Sequence, residues 1–242
     1  MSNKFVLNYK PFGNKAILIE WPPHIDESIL DEVIKTKQIV LETFKSIEVI
    51  PAYNSLTLIF KDYIDYDKIL YQLKNLPESN KKIKKRTKRT WKIPVCYDKE
   101  FGLDMQDFSR QKKISEKEII KLHTQPLYTV YCIGFLPGFM YLGGLDEKLF
   151  HPRRTAPRLK IPKGSVGIGG QQTGVYPKQS PGGWNIIGNS PAEIFNADED
   201  NPCKVEVGDK IIFYEITKAE YELIKIQVDT NIFNLESEVV HD

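Results

Sequence analysis

The sequence contains only three cysteines among 242 residues, Cys96, Cys132 and Cys203, and they stand far apart. They form neither a CxxC pair nor the closely spaced framework of a small secreted domain, so we expect all three thiols to be reduced. No run approaches about 18 apolar residues, and the first 21 residues show no signal-peptide pattern. The sequence therefore predicts a cytoplasmic location and no contact with a membrane.

An excess of one charge is also missing, because 34 Lys and Arg residues nearly balance 32 Asp and Glu residues. The resulting net charge of +2 does not indicate an obligatory nucleic-acid partner. With 41% hydrophobic and 27% charged residues, the composition is typical of a globular protein. The length permits one large domain or two of moderate size, and we favour two.

The motifs of several enzyme classes are absent. The sequence has no GxxxxGK[ST] string, no HExxH, no GxSxG and no cluster of His, Cys and carboxylate residues at ligand spacing. Strand-forming residues follow the glycines at 164–174, so these glycines do not open a helix as a dinucleotide fingerprint requires. We therefore expect neither a P-loop nor a protein-bound catalytic metal.

Glycine is concentrated in one segment, residues 131–188, which contains 12 of the 15 glycines together with several prolines. Glycine permits backbone with positive φ, and proline restricts φ to one narrow range, so this segment cannot form a long helix. The composition predicts shaped loops and short strands around a concave surface.

The first 80 residues are predicted to form a small α+β domain. Residues 26–44 place apolar side chains at three- and four-residue steps, and Asp26 precedes them as a helix cap. A second helix is predicted at 66–73, and β-rich runs predict strands at 15–21, 46–53 and 54–60. This alternation favours a ferredoxin-like arrangement.

Residues 81–90 are predicted to be a basic linker, because eight of the twelve residues in 81–92 are Lys or Arg. A nucleic-acid-binding arm is the alternative, but the stretch has a single aromatic residue and no wider basic face accompanies it. The second domain is then expected to span residues 91–242.

The second domain is predicted to be mostly β with one clear helix, which favours a barrel. Ser115 and Glu118 form a capping-box pattern that begins a helix reaching about His123. A terminal helix is expected after Lys218, and the last dozen residues are expected to be frayed. Strands are expected at 91–95, 127–135, 192–196 and 210–216, with a turn at 207–209.

Four cations lie within eight residues of the glycine-rich segment: Arg153, Arg154, Arg158 and Lys160, next to His151. Guanidinium groups in a loop that prolines restrict are suited to binding a carboxylate or phosphate. A solvated basic loop is the alternative, and the sequence does not decide between the two.

A second polar group, Gln172, Thr173, Tyr176 and Ser180, is followed directly by PGGW. The neighbouring glycines permit close approach of a ligand, so an amide, hydroxyls and a phenol could orient a small polar substrate. The alternative is that these side chains satisfy turn backbone.

Two further kinds of side chain are candidates in or near this segment. His123 could act as a general acid or base, or it could be a favourable charge at a helix C-terminus. The aromatic residues Phe135, Phe139, Tyr141 and Trp184 are expected to form core or pocket wall.

The strings GFLPGF, YLGGLD, PRR, APR, IPKGSVGI, QTGVYP and SPGGWNIIG, in this order and preceded by HT at 123–124, resemble the KipI family. This family is also called allophanate hydrolase subunit 1 or the B subunit of 5-oxoprolinase. The resemblance extends to EFG at 100–102, to the string at 51–56 and to the VGD turn, and so covers nearly the whole chain.

The resemblance implies an N-terminal α+β domain followed by a cyclophilin-like β-barrel. It implies two partners, a KipA-like C subunit of the enzyme and a LamB/YcsF-like A subunit, with ATP and Mg²⁺ serving the complex. The reaction implied is the ATP-dependent opening of 5-oxo-L-proline to L-glutamate. The motifs of the family assign the following residues to the site: His123, Arg153, Arg158, Gln172, Tyr176, Ser180 and Trp184.

Physical chemistry suggests roles for these residues. A lactam is a stabilised amide, so its hydrolysis requires activation of the carbonyl oxygen, which phosphorylation supplies. We predict that Arg153 and Arg158 bind carboxylate or phosphoryl charge, that Gln172 and Tyr176 orient the lactam with Thr173, Ser180 and Trp184 nearby, and that His123 carries a proton. The chain shows no nucleophile or nucleotide fingerprint, so a partner is expected to complete the site.

Two other functions remain open from the sequence. Some relatives inhibit a sensor histidine kinase, and allophanate or urea chemistry is a different substrate class for the same architecture. Prolyl isomerase activity is disfavoured, because the sequence strings of true cyclophilins are missing and fold alone does not confer activity.

Overall fold

The computed structural model describes residues 5–76 and 87–239. The chain forms two compact units, one ending at residue 86 and the other beginning at residue 87. Most of the predicted basic linker lies outside the described residues. In the ranges 5–76 and 87–239, no helix has the length and apolar character that crossing a membrane requires.

The first unit contains one four-stranded antiparallel sheet, with the strand order β1-β2-β4-β3, and two helices. The predicted helices and strands are present here, with bounds that differ from the prediction by one to a few residues. The elements are β1 (Asn8–Pro11), β2 (Ala16–Glu20), α1 (Glu27–Thr43), β3 (Ile47–Ala52), β4 (Ser55–Phe60) and α2 (Tyr66–Lys74).

Helix α1 forms where the sequence predicts it because its cap and its apolar face agree. The Asp26 carboxylate accepts hydrogen bonds from the backbone N–H groups of Ser28 and Ile29, which satisfies two donors that the helix leaves unpaired. Four buried side chains of α1, those of Ile29, Val33, Ile39 and Val40, pack into one cluster with those of β2 and β4. The ferredoxin-like assignment stays a prediction.

The second unit contains most of the β-structure of the chain and three of its helices. Its elements are β5 (Arg89–Val95), α3 (Met105–Lys112), α4 (Glu116–Thr124), β6 (Tyr128–Ile133), β7 (Met140–Gly143), a 3₁₀ turn (Glu147–Leu149), β8 (Arg158–Ile161), β9 (Ser165–Gly169), β10 (Gln172–Val175), β11 (Ser180–Gly182), β12 (Asn185–Asn189), β13 (Lys210–Glu215), α5 (Lys218–Asp229) and β14 (Ser237–Val239).

Eight of these strands form one sheet with the order β12-β9-β10-β7-β6-β13-β5-β14, and β8 pairs separately with β11. Only the β13–β5 pair is parallel among the described pairs of the large sheet. Just beyond β5, Cys96 exchanges two backbone hydrogen bonds of 2.8 and 2.9 Å with Asn189 at the end of β12. The sheet therefore curves until β12 approaches β5. The cyclophilin-like barrel stays a prediction.

Three predictions for the second unit are wrong. Residues 192–196 are irregular and do not form a strand. Ala192 and Ile194 belong to a loop, and their side chains are buried in the core, which produces the alternating pattern expected of a strand. Ser237–Val239 in the supposedly frayed tail pair with β5. Helix α3 was not expected, because Met105 and Phe108 are its only buried residues and the rest of the helix is polar.

The predicted helices of this unit are confirmed. The Ser115 hydroxyl accepts a hydrogen bond from the Glu118 backbone N–H at the start of α4. Thr217 and Glu220 form a complete capping box at the start of α5. Helix α4 packs against β13 and α3 against β12, so His123 on α4 points into the core of the sheet.

Candidate functional site

An aromatic pocket of about 260 Å³ lies in the second unit. Half of its ten lining residues are aromatic: Phe135, Phe139, Tyr141, Tyr176 and Trp184. Arg153 adds a cation, while prolines and the Gly182–Gly183 backbone complete the lining. Every lining residue comes from the glycine-rich segment 131–188, so the aromatic pocket is the concave surface that the composition predicts.

Phe139 organises the aromatic wall. Its ring makes edge-to-face contacts with Tyr141, Tyr176 and Trp184, at centroid distances of 4.9, 5.1 and 5.3 Å. Edge-to-face pairs place the positive ring edge on the negative ring face, and each contributes about 0.5–1.5 kcal/mol beyond its buried area. Phe139 therefore joins three rings of the wall through direct contacts.

A tight loop at residues 134–139 presents Phe135 at the pocket. The Gly134 N–H donates to the Phe139 carbonyl, and the Phe139 N–H donates to the Leu136 carbonyl. Phe135 has a φ of 67°, which is uncommon for a bulky residue, and its side chain is 59% exposed. An exposed aromatic residue with an unfavourable backbone conformation indicates a functional constraint on this loop.

Gly169 permits the close packing of Trp184. A Cβ atom at Gly169 would lie 2.5 Å from the indole Nε1 and 2.6 Å from Cδ1. A Cβ atom this close would overlap the indole ring. Only glycine at position 169 therefore allows β9 to pass behind the indole in its present position.

We expect Gly169→Ala to displace the indole and to destabilise the protein by about 1–3 kcal/mol, as overpacking does. Gly134→Ala is the matched control, because the nearest atom to its added Cβ is 4.0 Å away. Urea unfolding measures the stability, and acrylamide quenching measures the exposure of the indole. Equal stability of the two variants would contradict the assigned packing.

Arg153 supplies the positive charge in the lining of the pocket. Its guanidinium carbon lies 5.8 Å from the centre of the Trp184 ring, a cation–π geometry. Burial raises the pKa of the Tyr176 phenol to about 12, although a hydrogen bond with the Trp184 backbone and the charge of Arg153 act in the opposite direction. Tyr176 is therefore protonated at neutral pH and can donate a hydrogen bond.

Arg153, Tyr176 and Trp184 are the predicted site residues that line the aromatic pocket. Arg158 lies elsewhere: its two Nη atoms donate to the Asp104 carboxylate at 2.7 and 2.6 Å. The neighbouring Arg154 also donates to Asp104, at 2.7 Å. The predicted cation group is thus divided: Arg153 lines the pocket, Arg154 and Arg158 bind Asp104, and Lys160 is exposed outside the pocket.

His123 and Thr173 contact each other in the core, away from the pocket lining. The Thr173 hydroxyl donates to the Gly167 carbonyl at 3.0 Å, so it accepts from His123 Nε2 at 2.8 Å. The other ring nitrogen, Nδ1, then accepts from the Tyr97 hydroxyl at 2.7 Å. Burial lowers the pKa of His123 to about 3, which agrees with a neutral ring. These contacts favour a structural role for His123. Its role in proton transfer stays a prediction.

The remaining predicted residues lie on strands beside the pocket. Gln172 is half-buried at the start of β10, opposite Gly169. Ser180 is buried, and its hydroxyl donates to the carbonyl of Pro181, which lines the pocket. Their roles in substrate orientation stay predictions.

Sequence reasoning missed Asp104, which contacts two arginines of the predicted cation group. No local signal marks it, because Arg154 and Arg158 are 50 and 54 residues away along the chain.

A second cavity, of about 440 Å³, lies between α5 and the turns at 162–165 and 189–192. It is larger than the aromatic pocket. Two of the charged residues that line it, Glu100 and Lys163, are already paired with Lys218 and Glu193. None of the predicted site residues lines this cavity. Within residues 5–76 and 87–239, no group of three or more His, Cys, Asp or Glu side chains is arranged to bind a metal ion.

Residues 7–205 match the family described as carboxyltransferase domain, subdomain C and D. The chain is 36% identical over 226 residues to the B subunit of 5-oxoprolinase from Bacillus subtilis, an alignment that covers 88% of this chain and 94% of the relative.

Solved structures are also similar to this chain. The uncharacterised protein PH0987 from Pyrococcus horikoshii is 40% identical with a TM-score of 0.53, over 88% of this chain and 100% of that one. Urea amidolyase from Kluyveromyces lactis has a TM-score of 0.80 at 19% identity, over 97% of this chain and 16% of the yeast enzyme. This second likeness shows the fold alone.

Proposed function

The chain belongs to the family of 5-oxoprolinase B subunits, within the carboxyltransferase subdomain C and D group, and on this premise we propose that it acts in a complex that opens 5-oxo-L-proline to L-glutamate. The observation that supports this substrate is the aromatic pocket, where one guanidinium group stands against an apolar wall. A small ring that carries one carboxylate has the matching distribution of charge and apolar surface.

The lactam ring would lie against Trp184 and Phe139, whose packed rings exclude water from its apolar edge. Arg153 would bind the carboxylate, because a guanidinium group can donate two parallel hydrogen bonds to it. The protonated Tyr176 hydroxyl could donate to the lactam carbonyl. These contacts would bind and orient the substrate for attack on the carbonyl carbon.

ATP, with Mg²⁺, would supply the phosphoryl group that converts the lactam oxygen into a leaving group. The described residues of this chain offer no P-loop for it, and the chemistry needs cations around the phosphoryl oxygens. We therefore propose that a KipA-like protein and a LamB/YcsF-like protein complete the site. Phe135, exposed at the pocket, is suited to contact such a partner.

A reconstitution experiment tests this function. The purified chain alone is expected to show no 5-oxoproline-dependent ATP hydrolysis, and addition of a KipA-like and a LamB/YcsF-like protein is expected to produce glutamate. Glutamate is measured by an enzymatic assay and ADP by chromatography. A fully assembled complex that consumes ATP without forming glutamate would disprove the proposed reaction.

The other functions suggested by the sequence, kinase inhibition and allophanate or urea chemistry, stay predictions, as does a cytoplasmic location. The aromatic pocket offers no specific support for either alternative function.

A further inference from the structure

We infer that Asp104 is a positioning residue that holds Arg153 over Trp184 for recognition of a substrate carboxylate, an inference that rests on the proposed function. Asp104 immediately precedes α3 and is only 3% exposed. It does not line the aromatic pocket. Its effect on the pocket is therefore transmitted through the residues that it binds.

The Asp104 carboxylate accepts four hydrogen bonds. Arg154 donates one at 2.7 Å, Arg158 donates two at 2.7 and 2.6 Å, and the Ile186 backbone N–H donates one at 2.7 Å. The Asp104 N–H in turn donates to the Ile186 carbonyl at 2.8 Å. One carboxylate thus joins the start of α3, the loop at 153–158 and β12.

These bonds are stronger than ordinary ones because a buried carboxylate binds two guanidinium groups. The hydrogen bond to Asp104 raises the pKa of Arg158, because the carboxylate stabilises the charged guanidinium group. Arg154 Nε, by contrast, is buried and has no hydrogen-bond partner among the described residues. An unsatisfied buried donor is unfavourable, so attraction to Asp104 is needed to keep Arg154 in this place.

The residues that Asp104 binds are direct neighbours of the pocket wall. Arg153 precedes Arg154, and Pro157 precedes Arg158; Arg153 and Pro157 both line the pocket. On the other side, Trp184 lies two residues before Ile186. Asp104 therefore fixes both the loop that carries the cation and the strand that follows the indole.

The Arg154 backbone N–H also donates to the Gly183 carbonyl at 2.7 Å, which ties the same two walls together at the pocket itself. Loss of the Asp104 carboxylate would leave this bond, the bond from Asn185 Nδ2 to the Pro152 carbonyl at 3.0 Å and the β8–β11 pairing, but it would release the arginine side chains. The expected result is a guanidinium group that no longer stacks on Trp184, with the aromatic wall around Phe139 intact.

Asp104→Asn tests the inference, because an amide of the same shape has only one acceptor oxygen for two arginines. Asp107→Asn is the matched control, since Asp107 lies in α3, the helix that Asp104 precedes, and pairs with Arg110 at the surface. In the reconstituted complex, we expect Asp104→Asn to raise the KM for 5-oxoproline by roughly tenfold or more, with a smaller change in kcat. The control variant is expected to retain both values.

A substrate analogue separates positioning from general damage. Inhibition by 2-pyrrolidinone, the same lactam without a carboxylate, is expected to be nearly unchanged in Asp104→Asn, because Arg153 has no group to bind in it. Equal weakening of 5-oxoproline and 2-pyrrolidinone would overturn the inference.

A readout on the isolated chain keeps the inference independent of the proposed reaction. In protein labelled with ¹⁵N-tryptophan, we expect Asp104→Asn to shift the indole N–H signal of Trp184, assigned with Trp184→Phe, while the signals of Trp21 and Trp91 stay in place. If Asp104→Asn does not fold, Arg158→Lys serves instead, since it keeps the charge but loses the paired geometry. An unmoved Trp184 signal in a folded variant would overturn the inference, whereas a shifted signal without turnover would discredit the reaction alone.

Discussion

A complex assembled with the Arg153→Ala chain is expected to lose about a hundredfold or more in kcat/KM for 5-oxoproline, the range seen when one directional charge contact to a reacting substrate is removed. The reason is that Arg153 is the cation in the described lining of the aromatic pocket. Its removal leaves the substrate carboxylate to be desolvated with no opposite charge. Steady-state measurement of glutamate formation gives the change.

The matched control for this experiment is Lys160→Ala, which removes an exposed cation from the same basic stretch but outside the pocket. It is expected to retain the activity of the unmodified chain. Arg153→Lys is expected to fall between the two, because an ammonium group keeps the charge but not the planar pair of donors. If Arg153→Ala and Lys160→Ala behave alike in assembled complexes, Arg153 has no role in the site.

The second large effect concerns stability and pH. His123 is fully buried with a pKa lowered to about 3 by that burial, while an unfolded histidine has a pKa of about 6.5. Between these two values the unfolded chain binds a proton that the folded chain excludes. The stabilisation from neutral His123 is therefore complete above about pH 6.5 and declines as the pH falls towards 3, by about 1.4 kcal/mol per pH unit at most.

Urea unfolding at neutral pH and at about pH 4.5 measures this loss. The His123→Gln variant is expected to have a shallower pH dependence than the unmodified chain, because the proton-binding group is gone. His151→Gln is the control. Burial also lowers the pKa of His151, but this side chain is half-exposed, so its replacement is expected to change the pH dependence less than His123→Gln does. Identical pH dependence in the unmodified chain and in His123→Gln would show that His123 is not neutral in the core.

The pairing of His123 illustrates what sequence reasoning could and could not supply. The start of α4 was predicted from the Ser115 cap and its end near His123, where a histidine could be a general acid or base or a favourable charge at a helix end. Its two hydrogen-bond partners, Tyr97 and Thr173, are 26 and 50 residues away. No local pattern reports such contacts, or the burial that keeps the ring neutral.

Local patterns succeeded where the physical cause is local. Helix α1 follows from Asp26 and from apolar side chains three and four residues apart, because both effects act within one or two turns. Helix α3 escaped notice because it buries only Met105 and Phe108, too few to produce a periodic signal. Strand β14 likewise depends on pairing with β5, more than 140 residues earlier in the chain.

The amino-acid sequence was sufficient to identify the family, to place the concave surface in the glycine-rich segment and to name its aromatic wall. Those features depend on residue type and short spacing: glycine for close approach, as at Gly169, and aromatic rings for the wall. The arrangement of the arginines could not be read in this way. Arg153, Arg154 and Arg158 are chemically identical, and the buried carboxylate of Asp104, about 50 residues earlier, decides that two of them point inward while the third faces the pocket.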